Sequence, residues 1–93
     1  MIRIVHLSIK PEHCMEFESY VLKVLKNVQS FPGCSHVQLL KGEIGNYFTF
    51  SQWESVNALE VYRQSPIFTE IWDEIKPWFA AKAEAWSTHT LLA

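Results

Sequence analysis

Two hydrophobic periodicities alternate along the chain and divide it into strands and helices. Residues 2–9 are rich in β-branched side chains and alternate in polarity, which predicts a strand. Pro11 then suits the first turn of a helix, where its missing N–H would have had no partner. Apolar residues recur at helical spacing from there, so we expect an amphipathic helix that ends before Gly33. These apolar positions are Cys14, Phe17, Val21, Val24, Leu25 and Val28.

The second half of the chain follows the same two patterns. Ser55 and Ser65 are suited to cap two further helices, the second with Pro66 at its first position and Pro77 at its end. The resulting order, β-α-β-β-α-α-β, predicts an α+β fold of the ferredoxin-like, split βαβ type. Such a fold has a four-stranded antiparallel sheet with its helices on one face. The remaining predicted strands cover residues 34–41, 47–53 and 84–92.

Apolar side chains occupy both faces of the predicted strands. In the first strand Ile4 lies at one parity and Val5 at the other, and in the third strand Phe50 and Trp53 differ in the same way. Successive strand residues point to opposite sides of a sheet, so both sides need cover. One chain supplies helices for one side only. We therefore expect a homodimer in which the open sheet faces pack together as a dimeric α/β barrel.

Composition favours a single domain that spans residues 1–93. Four Trp, six Phe and three Tyr are a large aromatic content for a short chain, which buries only about 60–65% of its unfolded surface. This surplus indicates either a partner or a ligand cavity. The net charge of −2, with no basic run, argues against a nucleic-acid partner.

The sequence also indicates where the protein is located and which other kinds of site it lacks. No segment approaches the ~18 apolar residues of a membrane span, and the N-terminal residues lack a signal-peptide pattern. We therefore expect a cytoplasmic protein with no membrane partner. Cys14 and Cys34 lie far apart without a CxxC motif, so they are expected to be free thiols. No pair of histidines has the spacing of metal ligands, so no metal site is expected.

A series of short motifs carries the clearest functional signal. In order they are Pro11, Pro32-Gly33-Cys34, Trp53-Glu54-Ser55, Ala58-Leu59, Tyr62, and Ser65-Pro66 with Phe68. Their order and spacing resemble the antibiotic biosynthesis monooxygenase (ABM) domain family, of the dimeric α+β barrel superfamily, over residues 2 to about 90. The resemblance implies a dimer and a small apolar pocket between sheet and helices. It also implies, in some members, cofactor-independent oxygenation of quinols and polycyclic phenols and, in one branch, haem degradation.

The chain departs from two branches of that family. The haem-degrading branch uses an Asn, a Trp and a His at positions that correspond to Val5, Tyr62 and Trp72 here. A quinol-oxidising branch carries two histidines that correspond to Tyr62 and Ile67. None of these family residues is present. We therefore expect no haem and no other cofactor, and the chemistry of the histidine pair does not carry over.

The resemblance places a candidate substrate pocket at Val5, Trp53, Tyr62, Phe68 and Trp72. Aromatic stripes at helical spacing more often form a packed core, and that alternative stays open. In a pocket, the rings would hold a flat aromatic ligand. Buried Trp N–H and Tyr O–H groups need polar partners, and a ligand oxygen could be one.

A cofactor-free oxygenase needs a base, donors for a developing oxyanion and a dry cavity. His36, which shares a predicted strand face with Cys34, and His89 are the candidate catalytic bases, whereas His13 is expected in solvent and His6 at the dimer face. The expected function is a cofactor-independent monooxygenase of a small aromatic or quinol-type compound. The alternative is a non-catalytic dimeric domain of the same fold that binds a small molecule or acts in stress. A filled cavity would instead indicate an oligomerisation domain without a ligand.

Overall fold

The chain folds into the elements that its hydrophobic pattern predicts, in the order β-α-β-β-α-α-β. A computed structural model describes all residues from 1 to 93. Short 3-10 turns, Pro11–His13 and Lys76–Trp78, precede the first helix and follow the third. The main elements are β1 (Ile2–Ser8), α1 (Cys14–Gln29), β2 (Cys34–Lys41), β3 (Asn46–Trp53), α2 (Val56–Arg63), α3 (Pro66–Ile75) and β4 (Glu84–Thr88).

Serine side chains start α2 and α3, as predicted. Ser55 Oγ accepts a hydrogen bond from the backbone N–H of Ala58 at 3.1 Å, and Ser65 Oγ accepts one from that of Phe68 at 3.4 Å. These bonds satisfy N–H groups that have no partner inside the helix. α3 ends just before the turn that contains Pro77, because a proline has no N–H with which to continue a helix.

All neighbouring strands are antiparallel, in the order β2-β3-β1-β4. β4 ends at Thr88 and not at residue 92, because Thr88 pairs with Ile2, the first residue of its only neighbour β1. The predicted strand was therefore too long at its C-terminal end. The sheet and its order agree with the ferredoxin-like, split βαβ prediction.

A bulge at Ser35 changes which way the start of β2 faces. Cys34 pairs with Trp53, but His36 pairs with Gln52, so Ser35 is an extra residue in the ladder. Cys34 and His36 consequently lie on opposite faces of the sheet. The expectation that they share a face is wrong, because strict alternation fails across a bulge.

The three helices cover one face of the sheet, and one end of this layer is tightly packed. Phe17 of α1 and Tyr47 of β3 are completely enclosed, with ring centroids 4.6 Å apart. The Tyr47 hydroxyl donates to Glu18 Oε2 at 2.5 Å, and the same oxygen lies 2.8 Å from Lys41 Nζ. This end of the fold is therefore closed by packing and by a satisfied polar network.

The other face of the sheet has no helix over it. Ile4 pairs with Phe50 on one side and with Trp86 on the other, so three apolar side chains lie in a row across β3, β1 and β4. The His6 and Phe48 rings stack beside them, with centroids 4.9 Å apart. The Trp86 residue is 46% exposed. We call this surface the open face, and it presents a continuous apolar strip to solvent in one chain.

Gly33, just before β2, lets the chain pass close beneath α2. Its φ is +87°, and a Cβ there would lie 2.6 Å from Ala58 Cβ. We expect Gly33→Ala to lower the free energy of unfolding by about 1–3 kcal/mol, because it combines backbone strain with a steric clash. Chemical denaturation measures this. Gly42→Ala is the matched control, since its Cβ would meet nothing closer than 3.6 Å, and equal losses in both variants would contradict the account.

Candidate ligand cavity

A cavity of about 620 Å³ lies between the sheet and the helices. The helix-facing side of the sheet forms its floor, and α1, α2 and α3 form its roof. Seventeen of its 23 lining residues are hydrophobic. Small-molecule sites in proteins are typically about 300–1,000 Å³ and mostly apolar, so the size and lining suit a small aromatic compound.

Small residues leave the cavity open on the side of β4. Ala83 and Ala85 line it there, and Ala85 of β4 pairs with Val5 of the neighbouring strand β1. Ala85 is exposed although it lines the cavity. A larger side chain at either alanine would fill space that is empty here. The exposed Ala85 therefore marks an opening of the cavity on the β4 side.

A continuous series of aromatic rings forms one wall. Trp53 and Tyr62 stack with centroids 5.0 Å apart, and Phe68 meets Tyr62 edge-on at 5.3 Å. Trp72 follows at 5.6 Å from Phe68, and Phe79 at 5.7 Å from Trp72. All five residues line the cavity, and so does Val5. The structure thus brings together every residue of the predicted pocket and adds Phe79, which the sequence reasoning missed.

Trp53 is fixed in place by a buried hydrogen bond. Its indole Nε1 donates to Ser51 Oγ at 2.9 Å, and Ser51 Oγ in turn donates to the Arg3 carbonyl oxygen at 3.4 Å. Trp53 is 3% exposed. Its polar atom is therefore satisfied within the protein, and Trp53 offers the cavity an apolar ring face and no donor.

Tyr62, in contrast, lines the cavity with a hydroxyl that no protein group binds. That hydroxyl makes no hydrogen bond to another protein group, yet it is not sealed away from solvent. Burial, with a smaller contribution from the neighbouring Cys34 thiol, raises the pKa of Tyr62 to about 12. The hydroxyl therefore stays protonated at neutral pH. It can donate a hydrogen bond to an oxyanion in the cavity, but it cannot act as a base there.

The two histidines predicted as catalytic bases lie away from the cavity. His36 is on the open face, where its Nε2 lies 2.6 Å from Gln38 Oε1. His89 is exposed and follows the end of β4. Neither lines the cavity, and neither does any Asp or Glu. A catalytic role for His36 or His89 stays a prediction, and the geometry of one chain offers it no support.

His6 lies on the open face, on the side away from the helices. Its Nε2 lies 2.9 Å from Asn46 Oδ1, and its Nδ1 lies 3.7 Å from Glu84 Oε1. These contacts hold the ring flat against Phe48. His6 is thus positioned as a hydrogen-bonded surface histidine of the open face.

Basic residues line the cavity, which the sequence reasoning missed. Helical spacing predicts Arg63 on the solvent side of α2. Arg63 is indeed exposed, but it also borders the cavity. Lys76 and Lys82 border the cavity as well. Arg3 could have been found from its sequence, because it shares strand parity with Val5. Arg3 Nη1 donates to Ser87 Oγ at 2.9 Å. Burial, together with the nearby Arg63, lowers the pKa of Arg3.

The remaining candidate chemistries have little support in the structure. The Cys34 thiol donates to the His36 carbonyl oxygen at 3.6 Å, and burial raises its pKa, so it is not an activated thiolate. Nowhere do three His, Cys, Asp or Glu side chains come together as metal ligands. None of the helices has the length and apolar character needed to cross a membrane.

The free hydroxyl of Tyr62 gives a test of the cavity. We expect Tyr62→Phe to leave the free energy of unfolding within about 0.5 kcal/mol of wild type, because no protein group loses a partner. Tyr47→Phe is the matched control and should destabilise clearly more, because it removes the bond to Glu18. Urea denaturation of both variants measures the difference. A loss in Tyr62→Phe as large as that in Tyr47→Phe would contradict a hydroxyl that faces open space.

Comparison with solved structures supports the fold. A proposed antibiotic biosynthesis monooxygenase from Caulobacter crescentus CB15 is similar with a TM-score of 0.85 and 23% identity, over 91% of this chain and 83% of that one. Rv0793 from Mycobacterium tuberculosis has a TM-score of 0.89 and 15% identity, over 99% and 95% of the two chains. A proposed antibiotic biosynthesis monooxygenase from Nitrosomonas europaea reaches 0.90 with 13% identity, over 98% of each chain. At these identities the similarity shows the fold alone.

The family itself is identified from the sequence. A comparison with curated proteins gives no match. The model of the family described as "Antibiotic biosynthesis monooxygenase" matches residues 1–74, which include β1 to α2, all of α3 but its last residue, and most of the cavity wall. The match covers well over half of the chain, so the protein belongs to the antibiotic biosynthesis monooxygenase (ABM) family.

Proposed function

We propose that this protein is a cofactor-independent monooxygenase that oxidises a small phenol or quinol-type compound with O₂. The observation that carries the proposal is the aromatic-walled cavity, whose lining includes Tyr62 with its unpartnered hydroxyl. Family membership supports the oxygenase class. The aromatic wall suits a flat ring, and the apolar lining excludes water from reactive intermediates.

In the proposed reaction the substrate itself supplies the electrons. A phenolate is electron-rich and can pass electrons to O₂ directly. For a phenol with a C–H para to its hydroxyl, one oxygen atom bonds to that carbon and the O–O bond then breaks. The second oxygen leaves as water with the proton of the C–H and the proton of the hydroxyl. The product is a quinone, and no external reductant enters the balance.

The lining residues favour the deprotonated substrate without a general base. A cation near a phenol lowers the pKa of that phenol, and Lys and Arg side chains line the cavity. Tyr62 can donate its proton in a hydrogen bond to the phenolate oxygen, which stabilises the same charge. The phenol proton passes to water at the mouth beside Ala85, and an equivalent proton returns from that water when the second oxygen leaves as water. These residues bind and polarise the substrate, and O₂ performs the oxidation.

A second candidate function is ligand binding without catalysis, in the same cavity. It is favoured by one observation: no histidine or carboxylate lines the cavity. A sensor or carrier needs no base. Titration of a phenol against tryptophan fluorescence, together with an oxygen electrode, separates the two functions. If the phenol quenches tryptophan fluorescence saturably but O₂ uptake stays at the level of buffer alone, the function is ligand binding without catalysis.

We propose further that the protein works as a homodimer through its open faces. One chain leaves Ile4, Phe48, Phe50 and Trp86 at a helix-free surface. An apolar strip of this kind is typical of a permanent subunit interface. Two copies packed sheet to sheet would cover it, as the family resemblance implies. The cavities lie on the other side of each sheet, so each subunit would keep its own mouth.

The pH dependence of turnover tests the base-free mechanism. With 1-naphthol, O₂ uptake should rise with pH along the ionisation of the bound substrate, and naphthols with more acidic hydroxyls should shift the rise to lower pH. His36→Ala and His89→Ala should each stay within about twofold of wild type, because neither residue reaches the cavity. A rise in O₂ uptake at one pH common to all substrates, lost in one of these variants, would instead assign that histidine as the base.

Light scattering at micromolar concentration tests the dimer. Wild type should have twice the chain mass, and Phe50→Asp should be monomeric, because a buried carboxylate without a partner opposes association. Leu22→Asp is the matched control: Leu22 is 58% exposed on α1, far from the open face. A folded wild-type monomer, or a Phe50→Asp variant that stays dimeric, would contradict the proposed interface.

A further inference from the structure

Basic side chains are concentrated on the cavity. Four of the eight Lys and Arg residues line it, but none of the ten Asp and Glu residues does. The chain as a whole has a net charge of −2, so this bias runs against its overall charge. A low-dielectric cleft lined by one sign of charge attracts ligands of the other sign. The four cations are Arg3, Arg63, Lys76 and Lys82.

Only one of these cations is neutralised by a carboxylate. Arg63 Nη1 lies 2.9 Å from Glu60 Oε1, one turn earlier in α2. No carboxylate oxygen lies within 4.0 Å of Arg3, Lys76 or Lys82. Three positive charges therefore face the cavity or its mouth without a carboxylate in contact, and Glu60, which already pairs with Arg63, acts on Arg3 only from beyond contact distance.

Arg3 is the most enclosed of the four. It is half-buried, whereas Arg63, Lys76 and Lys82 are exposed. Strand parity puts it on the cavity side of β1 with Val5, and its one side-chain hydrogen bond goes to the neutral Ser87 hydroxyl. Other N–H groups of the guanidinium have no protein acceptor. Partial burial of an unpaired cation is unfavourable, and an anion in the cavity would offset that cost.

We propose that the ligand of this cavity is an aromatic carboxylate. Its ring would lie along the wall from Trp53 to Trp72, and its carboxylate would bind Arg3. The paired N–H groups of a guanidinium match the two oxygens of a carboxylate, which a hydroxyl or amide does not reproduce. Lys76 and Lys82 would attract the anion at the mouth. This inference rests on the proposed function only in taking the same cavity as the substrate site.

The fixed charge must be distinguished from the charge of an ionised phenol. 2-Naphthoate and 2-naphthamide have nearly the same shape, and neither has a phenolic hydroxyl, so they differ essentially in charge. Isothermal titration of both compounds at neutral pH and low salt should give at least tenfold tighter binding of the naphthoate to wild type. Added NaCl should weaken the binding of naphthoate and leave the binding of naphthamide almost unchanged.

Variants then locate the charge that is recognised. Arg3→Gln should abolish the preference for naphthoate, and Lys82→Gln should reduce it in part. Lys23→Gln is the matched control, because Lys23 is an exposed cation on α1 that does not line the cavity, and it should keep the full preference. Circular dichroism confirms that each variant is folded. If Arg3→Gln does not fold, the salt dependence and Lys82→Gln decide.

The outcomes separate this inference from the proposed function. Equal binding of naphthoate and naphthamide would overturn the aromatic carboxylate and leave the cavity as an aromatic-binding site. A preference for naphthoate that is equal in wild type, Arg3→Gln and Lys82→Gln would also overturn it, because the cations would then play no part. Failure of both compounds to bind would overturn the cavity as a ligand site, and the proposed function with it.

Discussion

The stacking of Trp53 on Tyr62 is the contact on which the cavity depends. Trp53 ends β3 and is held by Ser51, so its ring has a fixed position at the edge of the sheet. Tyr62 rests on that ring at a centroid distance of 5.0 Å, which sets where α2 lies relative to the sheet. From Tyr62 the contacts continue ring by ring to Phe79. A wall of rigid aromatic side chains spans the space that shorter residues would let collapse.

The apolar residues that this small chain does not pack into its core lie on two surfaces, one on each side of the sheet. On the helix side, close packing at Phe17 and Tyr47 gives way to a cavity where β4 carries alanine. On the other side, Phe50 and Trp86 form a strip that no element of the same chain covers. The sheet thus separates the cavity from the open face. A residue substituted on one of these surfaces does not contact the residues of the other.

Much of this arrangement could be predicted from the sequence because it depends on local patterns. Serine caps, a proline at the start of α3 and helical periodicity fix the elements within a few residues. The family resemblance placed Val5, Tyr62 and Trp72 at the pocket, and all three line the cavity. Their positions could be predicted because they follow from short-range geometry and from a shared fold.

Other features depend on non-local geometry that no single segment encodes. The bulge at Ser35 moves His36 to the open face, and only the pairing with β3 reveals it. Lys76 and Lys82 reach the cavity because the connection from α3 to β4 passes its mouth, which the sequence pattern does not show. The charge of the cavity was therefore missed, although its aromatic character was predicted.

The most direct test of the account is a crystal structure of the protein with 6-bromo-2-naphthol, because anomalous scattering locates the bromine atom independently of any model bias. The account predicts one bromine site per chain between the sheet and the helices, with the naphthol ring against the Tyr62–Trp72 wall and its oxygen within hydrogen-bond distance of the Tyr62 hydroxyl. A complex in which the bromine lies only on the open face, or in which the cavity stays filled by its own side chains, would contradict it.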